Sequence, residues 1–205
     1  MSIGDSLTTG FQSPSKINPN GHYYPYTRIL ESLAWKKLKE LEISNIGVIF
    51  ENEGVNGESV SGILRRFNVS VSPHKPDYVI AWTAHVDLSS GKTSKVTNYN
   101  LRKIIFEVRE IEAEPVLCSQ PPIVAAARFN EKIKENNILI KKLADEEKAT
   151  YVDLYTPLID EEGCLRLQYS NDSIHLSNEG YTIVAKILFE KVVEPALIRL
   201  KFKKQ

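Results

Sequence analysis

Tyr78-Val79-Ile80-Ala81-Trp82, introduced by Pro76-Asp77, is an apolar run with no polar alternation. A strand of that kind is buried on both faces, so it calls for a layer of structure above it and another below. On either side of it, strands and helices alternate. From residue 27 the apolar positions Ile29, Leu30, Leu33, Ala34, Leu38 and Leu41 recur at the spacing of a helix with one buried face. The β-branched stretch 46–50 reads as a short strand, followed by the turn Asn52-Glu53-Gly54-Val55-Asn56-Gly57 and by a helix over 59–71 with Val60, Ile63, Leu64 and Phe67 inward. Downstream come a helix over 96–111, a strand over 115–119 broken by Pro121-Pro122, and a helix over 128–148 burying Ile133, Ile140, Leu143 and Ala144. A strand over 151–154 and a last helix from residue 177 past Leu188 complete the series. Such alternation predicts a parallel sheet covered on both faces, an α/β sandwich. Trp35 and Trp82 fall on inward positions and are expected in the core.

At 205 residues, and about 150 per domain, the chain is read as a single domain over 1–205. The 26 Lys and Arg cancel the 26 Asp and Glu. With zero formal charge there is no long-range field to gather phosphates, which argues against nucleic acid and acidic membrane surfaces as partners. No apolar run approaches the ~18 residues of a membrane span. Cys118 and Cys164 stand far apart and are read as reduced thiols. Met1 is followed almost at once by Gly4-Asp5-Ser6, so the first strand is very short or truncated. With no export signal in view, a soluble, cytoplasmic protein is expected. The Lys-rich tail, Lys201, Lys203 and Lys204, reads as a solvated end.

In an open parallel sheet, ligands bind at the carboxyl ends of the strands, so the polar residues after each strand carry the chemistry. These are Ser6, Gly57, the segment 84–87, and Asp172 with His175. A serine hydroxyl needs a base to take its proton, and the base needs a carboxylate to fix its tautomer. Asp172-Ser173-Ile174-His175 places such a carboxylate three residues before a histidine. Alone, that spacing reads more simply as a helix-entry turn in which Asp172 caps nearby amides and His175 is a surface residue.

The order of Gly4-Asp5-Ser6-Leu7-Thr8, Gly57 in Asn56-Gly57-Glu58-Ser59, an aspartate-bearing turn after the 78–82 strand, and Asp172-x-x-His175 resembles the SGNH, or GDSL, hydrolase family. Tyr24-Pro25-Tyr26, Lys75-Pro76-Asp77, Val152-Asp153-Leu154-Tyr155 and His175-Leu176-Ser177 extend the resemblance over nearly the whole chain. It implies a flavodoxin-like, three-layer α/β/α sandwich with about five parallel strands, and hydrolysis of carboxylic esters or of thioesters and amides without a cofactor. It further implies Ser6 as nucleophile, His175 as general base and acid, Asp172 as its orienter, and the amides of Ser6 and Gly57 as oxyanion donors. The third donor of the family, an asparagine in a Gly-x-Asn-Asp turn, is missing: in Thr83-Ala84-His85-Val86-Asp87, Val86 and Ala84 stand where the asparagine and glycine belong. Losing one donor costs about 100- to 1,000-fold in rate. Ala84 in place of a residue free to take positive φ also suggests a local backbone that differs. His85 and Val86 are expected to face the substrate, His85 as a substitute donor if the turn is re-formed.

The remaining features are weaker. His22 and His74 lack the spacing of a metal site, and no metal is expected. Asp5 reads as a structural residue bonding the turn's amides. The long loop 11–26 and the segment 121–129 are expected to shape the pocket, and Tyr23, Tyr24 and Tyr26 either line it or anchor the first helix. The expected partner is a small-molecule ester. The alternatives are a binding or regulatory protein on a hydrolase scaffold and an enzyme that passes its acyl group to an alcohol; oligomeric state is open.

Overall fold

The computed structural model describes residues 1–15 and 19–202. Part of the 11–26 loop, and Lys203 and Lys204 of the expected solvated tail, lie outside the described residues. Among the described residues the elements run β1 (Ser2–Gly4), α1 (Ser6–Thr9), β2 (Phe11–Gln12), β3 (His22–Tyr23), α2 (Tyr26–Glu40), β4 (Asn52–Gly54), α3 (Val60–Ser70) and β5 (Tyr78–Trp82). They continue with α4 (His85–Ser89), α5 (Ser94–Glu110), β6 (Glu114–Cys118), α6 (Ala127–Glu147), β7 (Thr150–Val152), α7 (Asn178–Leu188) and α8 (Glu194–Phe202).

Five strands form one parallel sheet in the order β4-β1-β5-β6-β7. Numbered within the sheet this is 2-1-3-4-5, the flavodoxin-like winding, whose strand order reverses between β1 and β5. The 78–82 run divides its side chains between two cores. Ile80 and Trp82 pack with Val116, Cys118 and Val152 against Leu30, Ala34 and Leu38 of α2 and Val184 and Leu188 of α7. Val79 and Ala81 pack with Ile3 and Leu117 against Ile63 and Phe67 of α3, Ile104 and Ile105 of α5, and Ile140 and Leu143 of α6. This two-sided burial gives the three layers, α2, α7 and α8 on one face and α3, α5 and α6 on the other.

Two expectations are corrected. The apolar stretch 46–50 is not a strand; the sheet takes the polar Asn52-Glu53-Gly54 instead. The cause is register: β1 is three residues long and offers its ladder opposite 52–54, pairing Ser2 with Asn52 and Gly4 with Gly54. Val48 and Phe50 still pack against the core, while Ile49 points out, 81% exposed. Trp35 is 53% exposed rather than buried. The inward stripe of α2 runs Tyr26, Thr27, Leu30, Ala34, Leu38, and one step beyond Ala34 turns a side chain by about 100° toward solvent. Trp82 is buried as expected and its indole N–H donates to the Ser119 carbonyl at 3.0 Å. Both cysteines are free. No helix among the described residues is long and apolar enough to cross a membrane.

Candidate active site

Ser6 sits at the carboxyl end of β1, where the strand turns directly into α1. Gly4 makes that turn possible: a Cβ there would lie 2.1 Å from the Trp82 carbonyl oxygen and 2.2 Å from Thr8 Oγ1. Asp5 caps the helix, accepting the Leu7 amide at 3.0 Å on Oδ1, while its carbonyl accepts the amides of Thr8 and Thr9. This is the structural role expected of it. Its carboxyl is fully buried and Oδ2 has no hydrogen-bond partner. Burial, opposed by the Leu7 amide and reinforced by the nearby Asp87 charge, pushes Asp5 up to about 7.

From the other end of the chain, the loop before α7 brings His175 onto the serine. His175 Nε2 lies 2.9 Å from Ser6 Oγ and Nδ1 lies 2.7 Å from Asp172 Oδ2. Asp172 Oδ1 accepts the amides of His175 at 2.7 Å and Ile174 at 3.0 Å, so the aspartate caps its turn and holds the imidazole together. Burial works to raise the Asp172 carboxyl. Hydrogen bonds from the Ser13 hydroxyl, the His175 amide and ring and the Ile174 amide outweigh it and hold the group at about 2. An acceptor-only carboxylate requires N–H at His175 Nδ1, which leaves Nε2 free to accept a proton from Ser6.

Gly57 lies in the turn after β4, at φ +75°, exposed, with no heavy atom within 4 Å of a Cβ built there. The turn is tied to the serine helix by the Thr9 hydroxyl, which donates to Asn56 Oδ1 at 2.7 Å. Beside it, the turn after β5 enters α4. Asp87 is fully buried, with Oδ2 accepting the Val60 amide at 2.8 Å and Oδ1 accepting Lys92 Nζ at 2.7 Å. Contrary to expectation, replacing glycine by Ala84 leaves a left-handed backbone in place: Ala84 is fully buried at φ +108°. The paired Asp87 and the packed α4 over-determine the turn, and the strain is local. Val86 brings no side-chain donor to it. His85 is 8% exposed, its ring edge-on to Phe129 at 5.5 Å between centroids, with Nε2 buried and without a hydrogen-bond partner. Burial first, then the neighbouring His175, lowers His85 to about 4, against the Pro121 carbonyl, so the ring is neutral.

The tyrosines divide. Tyr26 is fully buried, edge-on to Trp82, and anchors α2. Tyr23 and Tyr24 line a cleft of about 280 Å³ with Pro25, Arg28, Ile29 and Ser32. Phe11 links that cleft to His175, its ring stacked edge-on against Tyr23 at 5.9 Å and against His175 at 4.9 Å. A wider groove of about 570 Å³ between α3 and α5, lined by Leu64, Tyr99 and Phe106 among others, contains none of these residues. Of the 121–129 segment, Val124 donates its amide to the Ser173 carbonyl at 2.9 Å and Phe129 meets His85. Sequence reading passed over Phe11 and Ser13, whose only signal was the unusual length of the loop that bears them. Among the described residues no group of three or more His, Cys, Asp or Glu is placed to hold a metal ion.

The chain is similar to known proteins in sequence and in fold. A model of the GDSL-like lipase/acylhydrolase family matches residues 2–183. The thioesterase 1/protease 1/lysophospholipase L1 of Escherichia coli K12 is 25% identical over 186 residues, covering 89% of this chain and 77% of the relative. An acetylxylan esterase from Geobacillus stearothermophilus superposes with a TM-score of 0.70 at 17% identity, covering 93% of this chain and 91% of its own. A GDSL-like lipase from Bacteroides thetaiotaomicron gives 0.65 at 19% identity, covering 97% and 87%.

Proposed function

The chain belongs to the GDSL-like lipase/acylhydrolase family, and we propose that it hydrolyses carboxylic esters through a Ser6–His175–Asp172 triad and an acyl-enzyme. The observation that carries the reading is the unbroken hydrogen-bonded line from Ser6 Oγ through the imidazole to Asp172. His175 Nε2 takes the Ser6 proton as Oγ attacks the ester carbonyl, and Asp172 stabilises the imidazolium that forms. The tetrahedral oxyanion is met by the amides of Ser6 and Gly57. The imidazolium then protonates the departing alcohol, and water, deprotonated by His175, releases the acid from the acyl-serine.

Val86 supplies no third donor, so the oxyanion is held by fewer hydrogen bonds than in relatives bearing asparagine there, and turnover is slow for the family. His85 and Val86 border the acyl position, and the neutral His85 ring is the available polar group on that side. The Tyr23 cleft, joined to His175 through Phe11, supports a role in holding the rest of the ester. The names of the relatives set the panel to assay: aryl esters of rising chain length, an acyl thioester, a lysophospholipid and an acetylated xylan. Ser6→Ala is expected to lower turnover of the best of these by about 10,000-fold or more with the fold intact; undiminished activity in that variant would overturn the mechanism.

A further inference from the structure

We propose that Ser13 is a positioning residue for the acid–base pair, holding Asp172 through a hydroxyl bond to Oδ2, the oxygen that also takes the His175 Nδ1–H. The inference rests on the triad reading of Ser6, His175 and Asp172. An ionised carboxylate only accepts hydrogen bonds, so the Ser13 hydroxyl is the donor. The contact does not stand alone. The Ser13 amide donates to Asn171 Oδ1 at 2.8 Å, on the near side of Asp172. Gln12 Nε2 donates to the Leu176 carbonyl at 3.2 Å and to Asn178 Oδ1 at 2.7 Å, on the far side of His175. Phe11 lays its ring edge-on to the imidazole. Three consecutive residues of the strap that begins with β2 therefore grip both flanks of the 172–175 turn.

That turn has reason to need a brace. It is a loop with Ser173 at φ +79°, and the side chains of Asp172 and His175 keep 21% and 15% of their exposure. Ser13 also tunes the pair. Its hydroxyl competes with the imidazole for charge on Oδ2, so the carboxylate holds the imidazolium less tightly than it otherwise would. The titratable groups around the pair are His85, lowered to about 4, the buried Tyr181 phenol, raised well above its ordinary value, and Asp5, next to Ser6 and at about 7. Of these only Asp5 changes charge near neutrality, and it is present in the wild type and in both Ser13 variants, so a difference between their profiles reads the Ser13 hydroxyl.

The test is the pH profile of kcat/KM for p-nitrophenyl acetate in the wild type, Ser13→Ala and Ser13→Thr. Losing the hydroxyl is expected to move the acid limb up by about half a pH unit and to lower kcat about 3- to 10-fold with KM within about twofold. Ser13→Thr, which keeps the hydroxyl, restores both. A merely structural loss would lower the melting temperature or the active fraction and leave the limb where it was. An unmoved limb in Ser13→Ala, or a threonine variant that folds but behaves as the alanine one, overturns the inference while leaving an active triad standing. A wild type that neither turns over esters nor reacts at Ser6 removes the triad reading and this inference with it.

Discussion

The turns that follow β1 and β5 are neighbours at the point where the strand order reverses, and each carries a fully buried aspartate at the head of a short helix. They differ in what enforces them. At the β1 turn glycine is obligatory because the Trp82 carbonyl oxygen and the Thr8 side chain crowd the site where a Cβ would stand, and Asp5 keeps an oxygen without a partner. At the β5 turn Ala84 fills the glycine's place, and Asp87 is fully engaged by Lys92 and the Val60 amide. Crowding excludes a side chain outright, whereas an unfavourable φ only costs energy that good hydrogen bonds nearby can offset. The β1 turn, which we propose bears the nucleophile, therefore carries the glycine its crowding demands, and the β5 turn, proposed to face the oxyanion, holds a left-handed backbone without one.

Four variants sharpen that contrast. Gly4→Ala places a Cβ against backbone and is expected to destabilise by about 3 kcal/mol, seen as a large fall in melting temperature; a variant as stable as the wild type would show that the close approach to Trp82 is not real. Next is the pH dependence of stability. The Asp5 carboxyl sits at about 7 in the folded protein, above its unfolded value near about 4. The stability linked to its bound proton is thus full below about 4 and is lost as pH rises through 7. Asp5→Asn keeps an oxygen for the Leu7 amide and removes this dependence, so the variant should gain on the wild type by about 5 °C or more between pH 4 and pH 8. Parallel melting curves would contradict a buried, protonated Asp5.

At the β5 turn the effects are smaller. Val86→Asn adds a side-chain donor to a turn whose left-handed backbone is in place, and on the proposed mechanism ester turnover should rise about 10-fold or more; no gain would mean that another group already meets the oxyanion. Ala84→Gly relieves the left-handed strain at the cost of a more flexible unfolded chain. The net gain expected is about 0.5–1 kcal/mol by chemical denaturation, and a loss of stability would mean that the Ala84 methyl contributes more by packing than it costs in strain.

Much of this architecture was legible before any coordinates. The 78–82 run announced a strand buried on both faces because both of its side-chain sets are apolar, and the helices followed from their stripes. The polar edge strand at 52–54 was not, since its place is set by the register of β1 and not by its own hydropathy; nor was the outward Trp35, one residue off its helix's stripe. Within the site, Asp172 and His175 could be paired by spacing. Their meeting with Ser6 followed only from the family's order of motifs and from strand winding. The Ser13 bond crosses the same distance with no motif to mark it, and the positive φ of Ala84 runs against what its residue type suggests.

The most direct measurement is labelling with a fluorophosphonate, with the adduct mapped by mass spectrometry in the wild type and in His175→Gln. A serine made nucleophilic by the imidazole should take one adduct, on Ser6, and lose nearly all reactivity in the histidine variant. No adduct on Ser6, or one that forms equally fast without His175, would contradict the account.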